Sequence, residues 1–175
     1  IRLNNFSSKM PTTIGQAGCY LMGFSDAVRT FFPNAYNIAT DPRSINLRNS
    51  NFLNGTDTMN PSKAASNYGL SFDYWTRKNQ GDLFAKINEL HASESKNVIL
   101  AKVAWNKEDP DNENHWVGIS GSTKTFIETG EQEYVNITGT SENDIPDNRP
   151  DYWIEHEGDF YVPTDKISVI HIYTA

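Results

Sequence analysis

Val98-Ile99-Leu100-Ala101-Lys102-Val103-Ala104-Trp105 is where the chain changes period. The run starts continuously apolar. It ends in a polar loop, Asn106 to Asn114, and so reads as a strand over Val98 to Trp105. Downstream, Trp116 to Ser120, Thr125 to Thr129 and Tyr134 to Thr138 read as consecutive strands punctuated by Gly, a meander of hairpins. Ser141 to Asp151 is polar and carries Pro146 and Pro150, which predicts a loop. Trp153-Ile154, Phe160 to Val162 and Ser168 to Tyr173 are closing strands.

Upstream of Val98 the spacing is helical. Leu21, Met22, Phe24, Val28, Phe31 and Phe32 place a helix over Cys19 to Phe32, ended by Pro33-Asn34. Asp41-Pro42 is a cap followed by proline at the first helical position, and it opens a helix to about Leu53. Asn60-Pro61 repeats that start, with a short helix to Tyr68 and Gly69 as terminator. Ser71 to Trp75 is a short strand, and Gly81-Asp82 opens an amphipathic helix through Leu83, Phe84, Ile87 and Leu90. Helices followed by an antiparallel sheet predict a single α+β domain over 1–175, with a mainly helical lobe (1–95) and a sheet lobe (96–175).

Composition narrows the function classes. The net charge is −7 and no Lys/Arg cluster exists, so a phosphate-tracking surface is not expected and nucleic acid is not a partner. No apolar run approaches the roughly 18–20 residues that span a bilayer. One cysteine excludes an internal disulfide and any Cys₄ or Cys₂His₂ zinc site. The chain begins at Ile1 without a signal-peptide pattern, which suggests a mature or excised domain.

That single cysteine, Cys19, follows a Gly-rich turn, Gly15-Gln16-Ala17-Gly18, that runs into a helix. A thiol at a helix start faces unpaired backbone N–H groups and the positive dipole end, which favour thiolate. The competing reading is a small buried hydrophobe on a core helix. A thiolate nucleophile needs a base that also protonates the leaving group. His91 at a helix end, His156 among Glu155, Glu157 and Asp159, and His171 in the last strand read as surface or packed residues. His115 stands where a polar loop meets the strand Trp116-Val117-Gly118-Ile119, a rigid mounting for an imidazole. An orienting partner for it could be Glu128, Asn143 or Asp144. The backbone N–H of Cys19 is a natural oxyanion donor, with Gln16 as the side-chain candidate and Asn4 or Asn5 as others. Asp109, Asp111 and Glu113 alternate before His115. They read as a solvated acidic loop in preference to a calcium site, because the Gly and the length of an EF-hand loop are missing.

Thr12-Thr13-Ile14-Gly15-Gln16-Ala17-Gly18-Cys19 before a helix, then Asn114-His115-Trp116-Val117-Gly118-Ile119-Ser120-Gly121, resembles the papain-like cysteine peptidases. The likeness is to the bacterial branch related to the bacteriocin double-glycine leader peptidases. The Asp41-Pro42 helix and Asn60-Pro61-Ser62-Lys63-Ala64-Ala65 before Tyr68-Gly69-Leu70 extend it over roughly residues 10 to 145. The resemblance implies a papain-like α+β fold, with the Cys19 helix packed on the sheet that bears His115. It also implies a nucleophile at Cys19, a base at His115 and an orienting acid at Asp144. The family's Gln six residues before its cysteine is here Thr13, with Gln16 the nearest. Its Asp-Pro pair after the histidine strand is absent.

The implied activity is hydrolysis of a peptide bond through an acyl-thioester, which needs neither metal nor organic cofactor. The partners are then a peptide, a protein or a peptidoglycan stem peptide, met by a monomer or by one part of a larger multidomain chain. Such domains are usually exported or cell-wall-associated. A peptidoglycan amidase or endopeptidase would use the same residues, and an inactive papain-like binding module is the reading outside enzymes.

Overall fold

The computed structural model describes residues 18–33, 41–53, 58–138 and 147–175. Three helices come first: α1 (Cys19–Phe31), α2 (Pro42–Leu47) and α3 (Pro61–Asn67). Strand β1 (Ser71–Thr76) leads into a short α4 (Arg77–Gln80) and then α5 (Leu83–Ala92). Strands β2 (Asn97–Ala104), β3 (Glu113–Phe126), β4 (Gln132–Ile137), β5 (Ile154–His156), β6 (Asp159–Pro163) and β7 (Val169–Thr174) complete the chain. The class is α+β, with helices N-terminal and a largely antiparallel sheet after them. The sheet order is β1-β7-β2-β3-β4-β6-β5.

The chain divides into two compact units, 1–73 with 173–175, and 74–172. In the first, α1 buries Leu21, Phe24, Ala27 and Val28, while Met22, Phe31 and Phe32 of the expected stripe are only half-buried. The Phe24 ring is fully buried and meets Tyr68 and Tyr173 edge-on, at 5.7 and 5.2 Å between centroids. Edge-to-face contact is the favoured aromatic geometry. Pro42 and Pro61 stand at the first turns of α2 and α3. The side chains of Asp41 and Asn60 accept the N–H groups of Ser44 and Lys63, as cap-plus-proline predicts.

The Asp41-Pro42 helix stops at Leu47, short of the expected Leu53, and a 3₁₀ turn follows over Asn49–Asn51. Asn51 explains the early end. Its buried amide donates to the Ile45 carbonyl at 2.9 Å, satisfying a group that further helix would have used. Its carbonyl side accepts from Asn67 on α3, which ties the turn to that helix.

In the second unit α5 is capped by Asp82, whose carboxylate accepts the Ala85 N–H. Leu83 and Ile87 of α5 join the sheet residues Val103, Val117, Val135 and Ile170 in one core. Alternation along the strands gives the sheet this buried face. Because α5 packs on the sheet, it belongs with residues 74–172, so these units do not follow the 1–95 and 96–175 lobes expected from periodicity. The short α4 was not expected.

One strand expectation needs correction. Trp116 to Ser120 and Thr125 to Thr129 are not two strands joined by a turn at Gly121. They are a single β3, irregular between Ile119 and Thr123, followed by a 3₁₀ turn over Ile127–Thr129. The extra residues are absorbed by a bulge, which a glycine accommodates without reversing the chain.

Candidate functional site

Cys19 is the first residue of α1, a 13-residue helix, and its thiol is free and half-buried. The N-cap position is Gly18, which supplies no side-chain hydrogen bond, and no acidic residue occupies the first turn. The first helical hydrogen bond runs from the Met22 N–H to the Gly18 carbonyl at 2.9 Å. Next to the thiol-bearing residue, the hydroxyls of Tyr20 and Tyr173 share a hydrogen bond. Burial pushes both phenols above their ordinary range, so both stay protonated.

His115 lies in the second unit, near the start of β3. It pairs with Val103 of β2, and the register shifts at the next step, where Ala104 pairs with Glu113. Asn114 is the extra residue of that bulge. Directly opposite residues share a face, so the half-buried imidazole follows the buried Val103 toward the core side. One face of the ring stacks on Trp105, with 3.9 Å between centroids and 28° between planes. Trp105 in turn meets Trp153 edge-on at 5.7 Å.

The other histidines differ. His171 packs on Trp116, tilted 41° at 4.5 Å. Burial, helped by the Lys102 charge, pushes its pKa down to about 4, so it is neutral near pH 7. His91 is exposed at the end of α5. His156 ends β5, with Phe126 edge-on to its ring and Glu157 3.8 Å away.

Of the expected partners for His115, Asp144 and Asn143 lie outside the described residues, as do Gln16, Asn4, Asn5 and Thr13. Glu128 is exposed on the turn beyond the far end of β3. At about 3.3 Å per residue the paired length of β3 from His115 to Phe126 alone spans on the order of 30 Å, so the two are not brought together. The alternating carboxylates are engaged one by one. Asp109 accepts from the Asn112 amide, Asp111 pairs with Lys166 at 3.8 Å, and Glu113 accepts from both the N–H and the hydroxyl of Ser168. Among the described residues no group of three or more His, Cys, Asp or Glu converges as a metal site. A cavity of about 530 Å³ opens beside Arg77, Asp82, Glu133 and Asp165, and neither Cys19 nor His115 lines it.

What the sequence reading missed is aromatic. The Trp105 and Trp153 contacts depend on a register shift and on strand pairings across a loop. Only the position of Trp105, an aromatic at a strand end beside a polar loop, was a visible signal. Among the described residues no helix is long and apolar enough to cross a membrane. Neither a family model, nor a curated protein, nor a solved structure matches this chain.

Proposed function

We propose that this chain is a cysteine-dependent amide hydrolase of the papain-like kind, working through an acyl-thioester on Cys19. The observation that carries this is the start of α1. The one thiol of the chain occupies the first position of a helix whose cap is a glycine and whose first turn holds no carboxylate. Nothing acidic on that turn offsets the positive dipole end, which suits the developing oxyanion of the proposed intermediate.

In the proposed sequence His115 takes the Cys19 proton as Sγ attacks the substrate carbonyl carbon. The tetrahedral oxyanion is met by the Cys19 N–H and the Gln16 side chain. As the C–N bond breaks, His115 delivers its proton to the leaving amine. A water then attacks the thioester, with its proton passing to His115. The C–S bond breaks, the carboxylic acid leaves and the thiol re-forms. Asp144 holds one imidazole nitrogen as a donor throughout. The mounting of His115 on a paired strand, with its ring stacked on Trp105, suits a base that must not wander.

Alkylation tests the proposal without ambiguity, because the chain has one cysteine. Iodoacetamide should end hydrolysis of denatured casein in step with one carboxamidomethyl group per chain. Undiminished hydrolysis by a fully alkylated chain would remove Cys19 from the mechanism.

A further inference from the structure

We infer that Trp105 is a positioning residue for His115: its indole face, braced by Trp153, holds the imidazole in one orientation for proton transfer. This rests on the reading of His115 as the base. Three features converge on it. The rings are stacked at 3.9 Å and 28°, close enough for extended contact over one imidazole face. Trp105 is itself fixed, edge-on against Trp153, which is 6% exposed and part of the core. The bulge at Asn114 falls one residue before His115, and bulges re-aim the side chains beside them.

The geometry has a chemical consequence. A general base in a thiol hydrolase needs one ring nitrogen toward the thiol and the other toward an orienting acceptor. A hydrogen bond used merely to fix the ring would occupy one of them. A stacking contact engages the face, so it restrains rotation without spending either nitrogen on that restraint. Stacking also tolerates the change from imidazole to imidazolium, because an indole face attracts the cation. Trp105 therefore suits a ring that is charged and discharged in each turnover, and it touches neither substrate nor scissile bond in this role.

The test uses the full chain with isotope-labelled histidine and two substitutions. Trp105→Phe keeps an aromatic face, and Trp105→Leu keeps apolar volume without one. In the wild type the His115 ring protons should be displaced upfield by the indole ring current. Trp105→Leu should abolish that displacement and lower kcat on casein peptides by on the order of 10²-fold, with KM unchanged. Trp105→Phe should retain the displacement and restore most of kcat. Wild-type kcat in a folded Trp105→Leu chain, or a Phe variant as impaired as the Leu one, would overturn the inference. Should Trp105→Leu fail to fold, the Phe variant decides. Retained displacement and kcat support the inference, and their loss in a folded protein overturns it. A wild type that hydrolyses nothing would remove the hydrolase reading alone. The ring signals then decide, since an upfield displacement lost in Trp105→Leu supports the holding role and its absence in the wild type ends it.

Discussion

The N-termini of α1 and α5 are built differently. At α5 the Asp82 carboxylate accepts the Ala85 N–H, the ordinary way to satisfy a helix start. Asp41 and Asn60 do the same for α2 and α3. At α1 the cap is Gly18, without a side-chain bond, and Cys19 stands first in the helix. Where a helix only has to hold its place, the sequence supplies a capping oxygen. Where it starts with the thiol, the cap residue supplies no side-chain oxygen. The two histidines that lie against tryptophan rings repeat the contrast. His171 is packed beside Trp116 and Lys102 and kept neutral, while His115 sits at a bulge near a strand start.

The strongest way to break this contrast is to exchange the fates of its two histidines. His115→Ala should lower kcat by on the order of 10²–10⁴-fold, whereas His171→Gln should leave kcat near the wild-type value. Steady-state hydrolysis of casein by both variants checks it, and equal damage from His171→Gln would erase the distinction. Asp144→Ala should also cost a large factor in kcat, on the order of 10²-fold or more, while leaving Cys19 open to iodoacetamide. Glu128→Ala should change little, because its exposed turn lies at the other end of β3. A collapse in Glu128→Ala with normal turnover in Asp144→Ala would transfer the orienting role.

Stability against pH sharpens the same comparison. The folded pKa of His171, about 4, lies below its unfolded value of 6.5. The unfolded chain therefore binds more protons between these limits. The stability tied to neutral His171 is fully present above pH 6.5 and is lost as pH falls toward 4, amounting to ~3 kcal/mol. Urea denaturation at pH 7 and pH 4.5 should show this acid loss in the wild type, and a smaller one in His171→Gln. An identical pH slope in both would contradict the buried, neutral state of His171.

The smallest effect belongs to the capped helix. Asp82→Ala should lower stability by about 1 kcal/mol and leave kcat unchanged, read by urea midpoint and casein hydrolysis. A kcat loss in that variant would mean that α5 is more than scaffold.

Much of this organisation was legible because it is local. The caps at Asp41, Asn60 and Asp82 and the start of α1 at Cys19 depend on residues within a turn of each other. The strand at Val98 to Trp105 was announced by its own apolar run. What stayed hidden depends on pairing at a distance. The single β3 required knowing that Ile119 and Thr123 pair with Ile137 and Val135 of one neighbouring strand. From sequence, Gly121 marked a turn as readily as a bulge. The early end of α2 turned on Asn51 reaching back to Ile45 and across to Asn67, which no propensity foretells. For the candidate site, the helix start at Cys19 and the strand mounting of His115 were legible. The Trp105 stack was not, since a one-residue register shift decides which ring meets the imidazole.

The nucleophile is tested most directly by comparing the wild type with Cys19→Ala on denatured casein, with new peptide termini counted by mass spectrometry. The account predicts that the wild type generates new termini and that Cys19→Ala, folded to the same circular dichroism spectrum, generates none. Casein cleaved equally by both proteins, or left intact by the wild type, would contradict it.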